Sequence, residues 1–255
     1  APAHELNSLG KRLGHWASLA EQHLAMTEFS RLLQAPEPGA DPIRTLFAPA
    51  LNSNQQLSSL PVAVAQDEAF HFRYPEMQEC LEALGMPVLP WSPLSDASPP
   101  QEAFGLILPG GFPELHAKRL SQCETTFSAL HEWIRHKPIY AECGGMLMLG
   151  RKLADPEGEL HAMAGVLPFE ARRGRLQVGY RTLEACSDSL LMHQGDTLNG
   201  HEFHRWQLSC KSDQSVGSFG ALWQVEGWNV ERRAEGWNLP NLHASWVHLH
   251  WAGSS

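Results

Sequence analysis

Residues 137–150 read KPIYAECGGMLMLG. The run IYA before Glu142 and Cys143 has the length and β-branched, aromatic character of a buried strand, and MLML behind two glycines reads as a helix. Cys143 therefore stands at a strand-to-helix turn. In open α/β sheets such turns lie at the carboxyl edge, where ligands bind. Two glycines let the backbone reverse without side-chain collision, and the amide of Gly144 can point at whatever the sulfur attacks. A helix N-terminus also favours the thiolate. This is nucleophile-elbow geometry with sulfur in place of oxygen. A structural thiol buried at a strand end is the other reading of the motif alone.

Working outward, the same alternation recurs. PVAVAQ (61–66), MPVLPW (86–91) and FGLILPGG (104–111) read as strands. YPEMQECLEALG (74–85) and SQCETTFSALHEWIRH (121–136) read as helices, the first opened by Pro and closed by Gly. A further helix is expected over GGMLMLGRKL (144–153). Strand and helix in turn predict an α/β fold, a largely parallel sheet covered by helices on both faces. After residue 160 the text changes to strands joined by turns, expected to add antiparallel strands to that sheet. Residues 6–33 are helical in pattern, 34–42 (QAPEPGADP) break the helix, and the stretch to about 60 reads as a tether. The division expected is residues 1–60, helix plus linker, and 61–255, the main domain.

Composition narrows the class. The 255 residues are 43% apolar and 18% charged, with a formal net charge of -9, which argues against nucleic acid or an anionic membrane as partner. No apolar run approaches the ~18 residues of a membrane span, and APAHELNSLGKRLGHW lacks the order of a secretory signal. Five cysteines, at 80, 123, 143, 186 and 210, form no C-x-x-C pair, which fits reduced thiols in a cytoplasm.

Several stretches offer partners for Cys143. LILPGGFPELHA (106–117) is a second strand ending in Gly-Gly, so the amide of Gly110 or Gly111 and that of Gly144 could converge on an oxyanion. ASWVHLHW (244–251), read as one strand, puts Trp246, His248 and His250 on one face. GHEFHRW (200–206) puts Glu202 and His204 on one face and His201 on the other. Its H-E-x-H spacing does not match the helical H-E-x-x-H of zinc hydrolases, so no metal is expected. Arg172, Arg173 and Arg175 cluster in a chain poor in basic residues, as a surface hairpin or a patch for carboxylates or a partner domain. No P-loop is present: LGKRLG near residue 10 lacks the first glycine and the hydroxyl.

Taken together, YAECGG, LPGGFPELHA, VAVAQDEAFHFRYPEMQECLEALG, GHEFH and ASWVHLH resemble the C-terminal class I glutamine amidotransferase domain of the cobyrinic and cobyric acid synthase family. The a,c-diamide synthase branch is matched more closely than the cobyric acid branch. The resemblance spans about residues 61–252 and implies a flavodoxin-like α/β fold. It implies Cys143 as nucleophile toward glutamine, His248 as base, and Gly111 and Gly144 as oxyanion donors. Where most class members carry Glu two residues after the His, this chain has His250, so a Cys-His dyad is expected and the group orienting His248 is left open. Gly110, Glu202, His204 and His250 are pocket candidates, and Asp67, Glu68 and Tyr74 form a candidate substrate loop. Implied partners are L-glutamine, a corrinoid polycarboxylate and the ATP-binding domain of the same enzyme, with a homodimer left open. No cofactor is expected in this chain; ATP and Mg2+ belong to the N-terminal domain it lacks, so the chain reads as part of a longer protein without synthetase activity of its own. A cysteine hydrolase or peptidase of the same fold and a non-catalytic docking module are the rival classes.

Overall fold

The runs VAVA, GLIL and IYAE are buried at every residue, as strands covered on both faces must be. The computed structural model describes residues 9–33, 60–210, 220–228 and 230–251, with single positions 35, 37 and 39. The chain divides into two compact units, Ala1–Thr45 and Leu46–Ser255. The first holds α1 (Leu9–His23) and α2 (Met26–Leu32), two helices where one was expected, and neither has a buried residue. The expected tether lies almost wholly outside the described residues.

In the second unit the elements follow in order: β1 (Val62–Ala65), β2 (Phe70–Phe72), α3 (Pro75–Ala83), β3 (Val88–Trp91), β4 (Gly105–Leu108), β5 (Gly110–Gly111), α4 (Ala117–Leu120), α5 (Glu124–His136), β6 (Ile139–Glu142) and α6 (Gly144–Leu149). Then come β7 (Lys152–Ala154), β8 (Leu160–Ala162), β9 (Phe169–Ala185), β10 (Thr197–Cys210), β11 (Trp223–Gly227), β12 (Val230–Glu235), β13 (Trp237–Leu239), β14 (Leu242–Ser245) and β15 (Val247–Leu249). One six-stranded sheet runs β13-β14-β6-β4-β1-β3, parallel except for β13 at its edge. Period-two alternation splits its side chains between two cores. Ala63, Ala65, Leu106, Leu108, Ile139 and Ala141 pack with Leu130 and Trp133 of α5 and with α6. Val62, Val64, Ile107 and Tyr140 pack on the other face with Met77 and Leu81 of α3.

The antiparallel strands do not extend this sheet; they build a second one, β12-β11-β9-β10-β15, with β7 and β8 attached. The reason is apolar stacking. Leu183, Ala185, Trp223 and Val225 belong to the same buried cluster as Val62, Val64, Ile107 and Tyr140, so the second sheet lies over a face of the first. The expected helix over 144–153 also stops early, at Leu149. Gly150 is extended, the ring of Phe169 occupies the space of a Cβ there, and Lys152–Ala154 continue as a strand. Finally, ASWVHLHW is not one strand. β14 pairs with β6 in the parallel sheet, Trp246 intervenes, and β15 pairs with β10 in the second sheet.

A buried charge network closes the second sheet on itself. Glu202 of β10 is 0% exposed and meets Arg181 Nε of β9 at 2.7 Å, Arg233 Nη2 of β12 at 2.6 Å and His204 Nε2 at 2.9 Å. Burial works to raise its pKa, but the His204 hydrogen bond and the Arg233 and Arg181 charges hold it at about 2. A carboxyl depressed from 4.5 to about 2 adds roughly 3 kcal/mol of stability, present above pH 4.5 and lost as pH falls through 2. Urea midpoints measured across that range should fall steeply in the wild type and less steeply in Glu202→Gln, which starts lower at neutral pH because Arg181 is left buried without its partner.

Candidate active site

Cys143 ends β6 with φ 45° and ψ -104°, one of two non-glycine residues with positive φ among those described. Holding a β-substituted residue there costs on the order of 1–3 kcal/mol, and the flanking hydrogen bonds keep it in place. Its amide donates to the Ser245 carbonyl at 2.7 Å and its carbonyl accepts from Leu147 N at 3.0 Å. The residue is 8% exposed and lines a cavity of ≈ 410 Å³.

The chain crossing at Trp246 delivers the second group. Because β14 lies parallel to β6 with Ser245 opposite Glu142, the next three residues carry His248 over the end of β6. His248 is 3% exposed and lines the same cavity as Cys143, near enough for the sulfur to raise its pKa, while the thiol itself donates to the Phe203 carbonyl at 3.9 Å. On the other side the imidazole Nδ1–H donates to Glu142 Oε2 at 3.0 Å. Glu142 Oε1 accepts from Leu249 N at 3.1 Å and from the Tyr140 hydroxyl, so the carboxylate is fixed from three directions. The dyad expectation is thus corrected: an acid does orient the imidazole, and it is Glu142, the neighbour of Cys143. Alternation along β6 does send Glu142 away from Cys143, but the imidazole sits at the sheet edge and reaches both. Burial opposes a charged His248, yet the Cys143 and Glu142 interactions outweigh it and raise its pKa to about 10. The site thus favours the protonated imidazole.

The two Gly-Gly turns do meet. A Cβ on Gly144 would lie 2.9 Å from the Gly111 nitrogen, so the two backbones touch beside the sulfur. Gly110 packs against the His248 imidazole, since a Cβ there would sit 2.6 Å from His248 Cε1. His204 lines the cavity, stacked on Trp246 with ring centroids 3.8 Å apart. Glu202 does not; it lies behind His204 in the network that ties the strands together. His250 points elsewhere, paired with Glu76 and edge-on to Tyr74.

The candidate substrate loop is not brought to the cavity. Asp67 accepts bonds from Ala69 N, Phe70 N, Leu94 N and the Ser92 hydroxyl, and so braces its own loop. Glu68 pairs with Arg119 at the surface, and Tyr74 packs on Phe72 and His250. From this segment only Phe72 reaches the cavity. Further lining residues were not read as pocket candidates from the sequence, among them Glu114, His201, Phe203 and Arg205. His201 is set opposite His248 by the pairing of β10 with β15, which no local pattern carries. Arg172 lies near Glu170, and Arg175 lines a separate cleft that shares the His204, Trp206 and Trp246 wall. Among the described residues one metal-type group occurs, Asp155, Glu159 and His161 of the β7–β8 hairpin, and none of the three lines the Cys143 cavity.

Comparison with known proteins now has a site to attach to. Residues 61–255 match the model of the CobB/CobQ-like glutamine amidotransferase domain. The chain belongs to that family. It is 37% identical over 98% of its length to a cobyrinate a,c-diamide synthase of Gloeobacter violaceus, covering 52% of that protein. It is 35% identical to a cobyrinate a,c-diamide synthase of Synechococcus over 99% of the chain and 54% of the relative. A hydrogenobyrinate a,c-diamide synthase of Streptomyces coelicolor is 38% identical over 86% of the chain and 44% of that protein. The chain spans about half the length of the curated relatives it matches. Among solved structures, a glutamine amidotransferase of Thermotoga maritima shares the fold, with a TM-score of 0.51 at 14% identity over 74% of this chain and 76% of that one. The α/β amidotransferase fold expected from the sequence therefore stands. No helix among the described residues is long and apolar enough to cross a membrane.

Gly110→Ala tests the packing of the base. The added methyl should displace the imidazole and slow alkylation of Cys143 by about 10²-fold, with the thermal transition of the variant measured alongside to show that the fold survives.

Proposed function

We propose that this chain is the glutamine-hydrolysing part of an a,c-diamide synthase acting on a corrinoid polycarboxylate. Residues 61–255 form the amidotransferase domain, and residues 1–60 are the helical end and linker of a preceding ATP-dependent domain. The observation that carries the reading is the relay Cys143–His248–Glu142 at a strained turn, opening on a cavity of ≈ 410 Å³. Support for the corrinoid comes from the names of the relatives, whose alignments also cover the region before residue 61.

The Cys143 thiolate attacks the carboxamide carbon of glutamine. Charge builds on the amide oxygen, where the Gly111 and Gly144 amides would meet it. His248 then gives its proton to the departing nitrogen, and ammonia leaves with a γ-glutamyl thioester behind. The neutral imidazole next takes a proton from water, whose oxygen displaces the sulfur to give glutamate. Glu142 keeps Nδ1 protonated throughout, so the other nitrogen always faces the chemistry, and it stabilises the imidazolium. In the whole protein, ATP and Mg2+ in the other half would activate the acceptor carboxylate that ammonia then amidates. This chain alone should show no ATP-dependent amidation.

Incubation with 6-diazo-5-oxo-L-norleucine, a glutamine mimic that alkylates nucleophilic thiols, followed by peptide mass spectrometry, tests the reading. Cys143 should be modified selectively and protected by L-glutamine, with no labelling in Cys143→Ser. Absence of selective labelling in the wild type sinks it. Glu142→Gln should lower glutaminase turnover by roughly 10²–10⁴-fold. It should also lower the pKa of His248, read as an imidazole NMR titration midpoint at a lower pH than in the wild type.

A further inference from the structure

Among the described residues lining the Cys143 cavity, Glu114 is the only one with a carboxyl side chain. It lies in the 3-10 turn Pro113–His116, directly behind the Gly110–Gly111 strand that abuts the nucleophile. The relay makes no use of it. It is half-buried. Burial pushes its carboxyl up to about 7, so the empty site leaves this acid poorly stabilised as an anion. The other titratable lining groups are Cys143, His201, His204, Arg205 and His248. A cation entering this space meets carboxylate charge from the wall at Glu114 alone, and Arg205 and the protonated His248 repel it.

From this placement, we propose that Glu114 receives the α-ammonium group of the substrate amino acid. The inference rests on the glutaminase reading and deepens it. With the carboxamide held at Cys143, the far end of glutamine carries a fixed positive charge that cannot enter a cavity walled by Phe72, Phe112 and Trp246 without a counter-charge. The arriving ammonium ionises Glu114, and the released proton goes to solvent. A site built to bind that group rejects amides that lack it. Glu114 is thus the specificity determinant that admits glutamine and turns away simple carboxamides.

Two rates of Cys143 modification separate the outcomes, one for 6-diazo-5-oxo-L-norleucine, which carries the α-ammonium, and one for chloroacetamide, which does not. In Glu114→Gln the first should fall on the order of tenfold or more while the second stays at the wild-type value, and Glu114→Asp should recover part of the loss. In the unaltered chain, L-glutamine should protect Cys143 from chloroacetamide at least about tenfold better than 4-carbamoylbutanoate, its analogue without the amino group. Equal slowing of both reagents, an unchanged first rate, or equal protection by the two amides would overturn the role of Glu114 and leave the glutaminase reading intact. Failure of the norleucine reagent to label the wild type would remove both.

Discussion

His248 bridges two side chains that are consecutive in sequence and face opposite ways. Glu142 turns toward Tyr140 and the cluster under the second sheet, and Cys143 turns toward the first core and the cavity. Only a group placed at the sheet edge can hold both, and the imidazole is placed there by the chain itself. β14 runs beside β6 in parallel register, then passes through Trp246 into the other sheet. The base is therefore located by the junction of two sheets, and anything that loosened that junction would move it. Glu235 helps to fix the crossing: its carboxylate, buried and with a raised pKa, accepts bonds from Ser245 Oγ, Trp246 N and Trp223 Nε1. Each of those donors stands within three residues of His248 or in the sheet that receives it.

Much of this was legible beforehand, for definite reasons. Buried parallel strands carry unbroken apolar runs, so β1, β4 and β6 announced themselves, and Pro75 at the first turn marked α3. The elbow at Cys143 was readable because a strand, a thiol and two glycines leave few other conformations. What could not be read was the assignment of strands to sheets. The alternation in β9 and β10 says which residues are inside, but not that the inside is the face of another sheet. The octapeptide ASWVHLHW looked like one strand because its pattern is continuous, although its pairing partner changes midway.

The orienting acid was missed by the same limit. Strand periodicity locates a side chain relative to its own sheet, and by that measure Glu142 points away from the thiol. The relay depends instead on a partner arriving from strand β15, residue 248, a long-range fact that no local pattern carries. Glu114 was overlooked because a carboxylate in a turn reads as solvated surface, and only the closing of the cavity by Phe203 of the second sheet and Trp246 at the crossing changes its surroundings.

The placement of the acid also has a mechanical meaning. An acid two residues after the base would share its strand and move with it. Here the corresponding residue, His250, is turned outward to Glu76, and the carboxylate comes from β6. Glu142 and Cys143 then sit at the end of β6 and in the turn that follows it, with parallel neighbours β14 and β4 on either side, while His248 comes from β15. A shift of the base relative to β6 would change its distance to Glu142 and Cys143 together. The geometry at the sulfur and the charge on the imidazole are consequently one variable, governed by how firmly the two sheets are joined at Trp246.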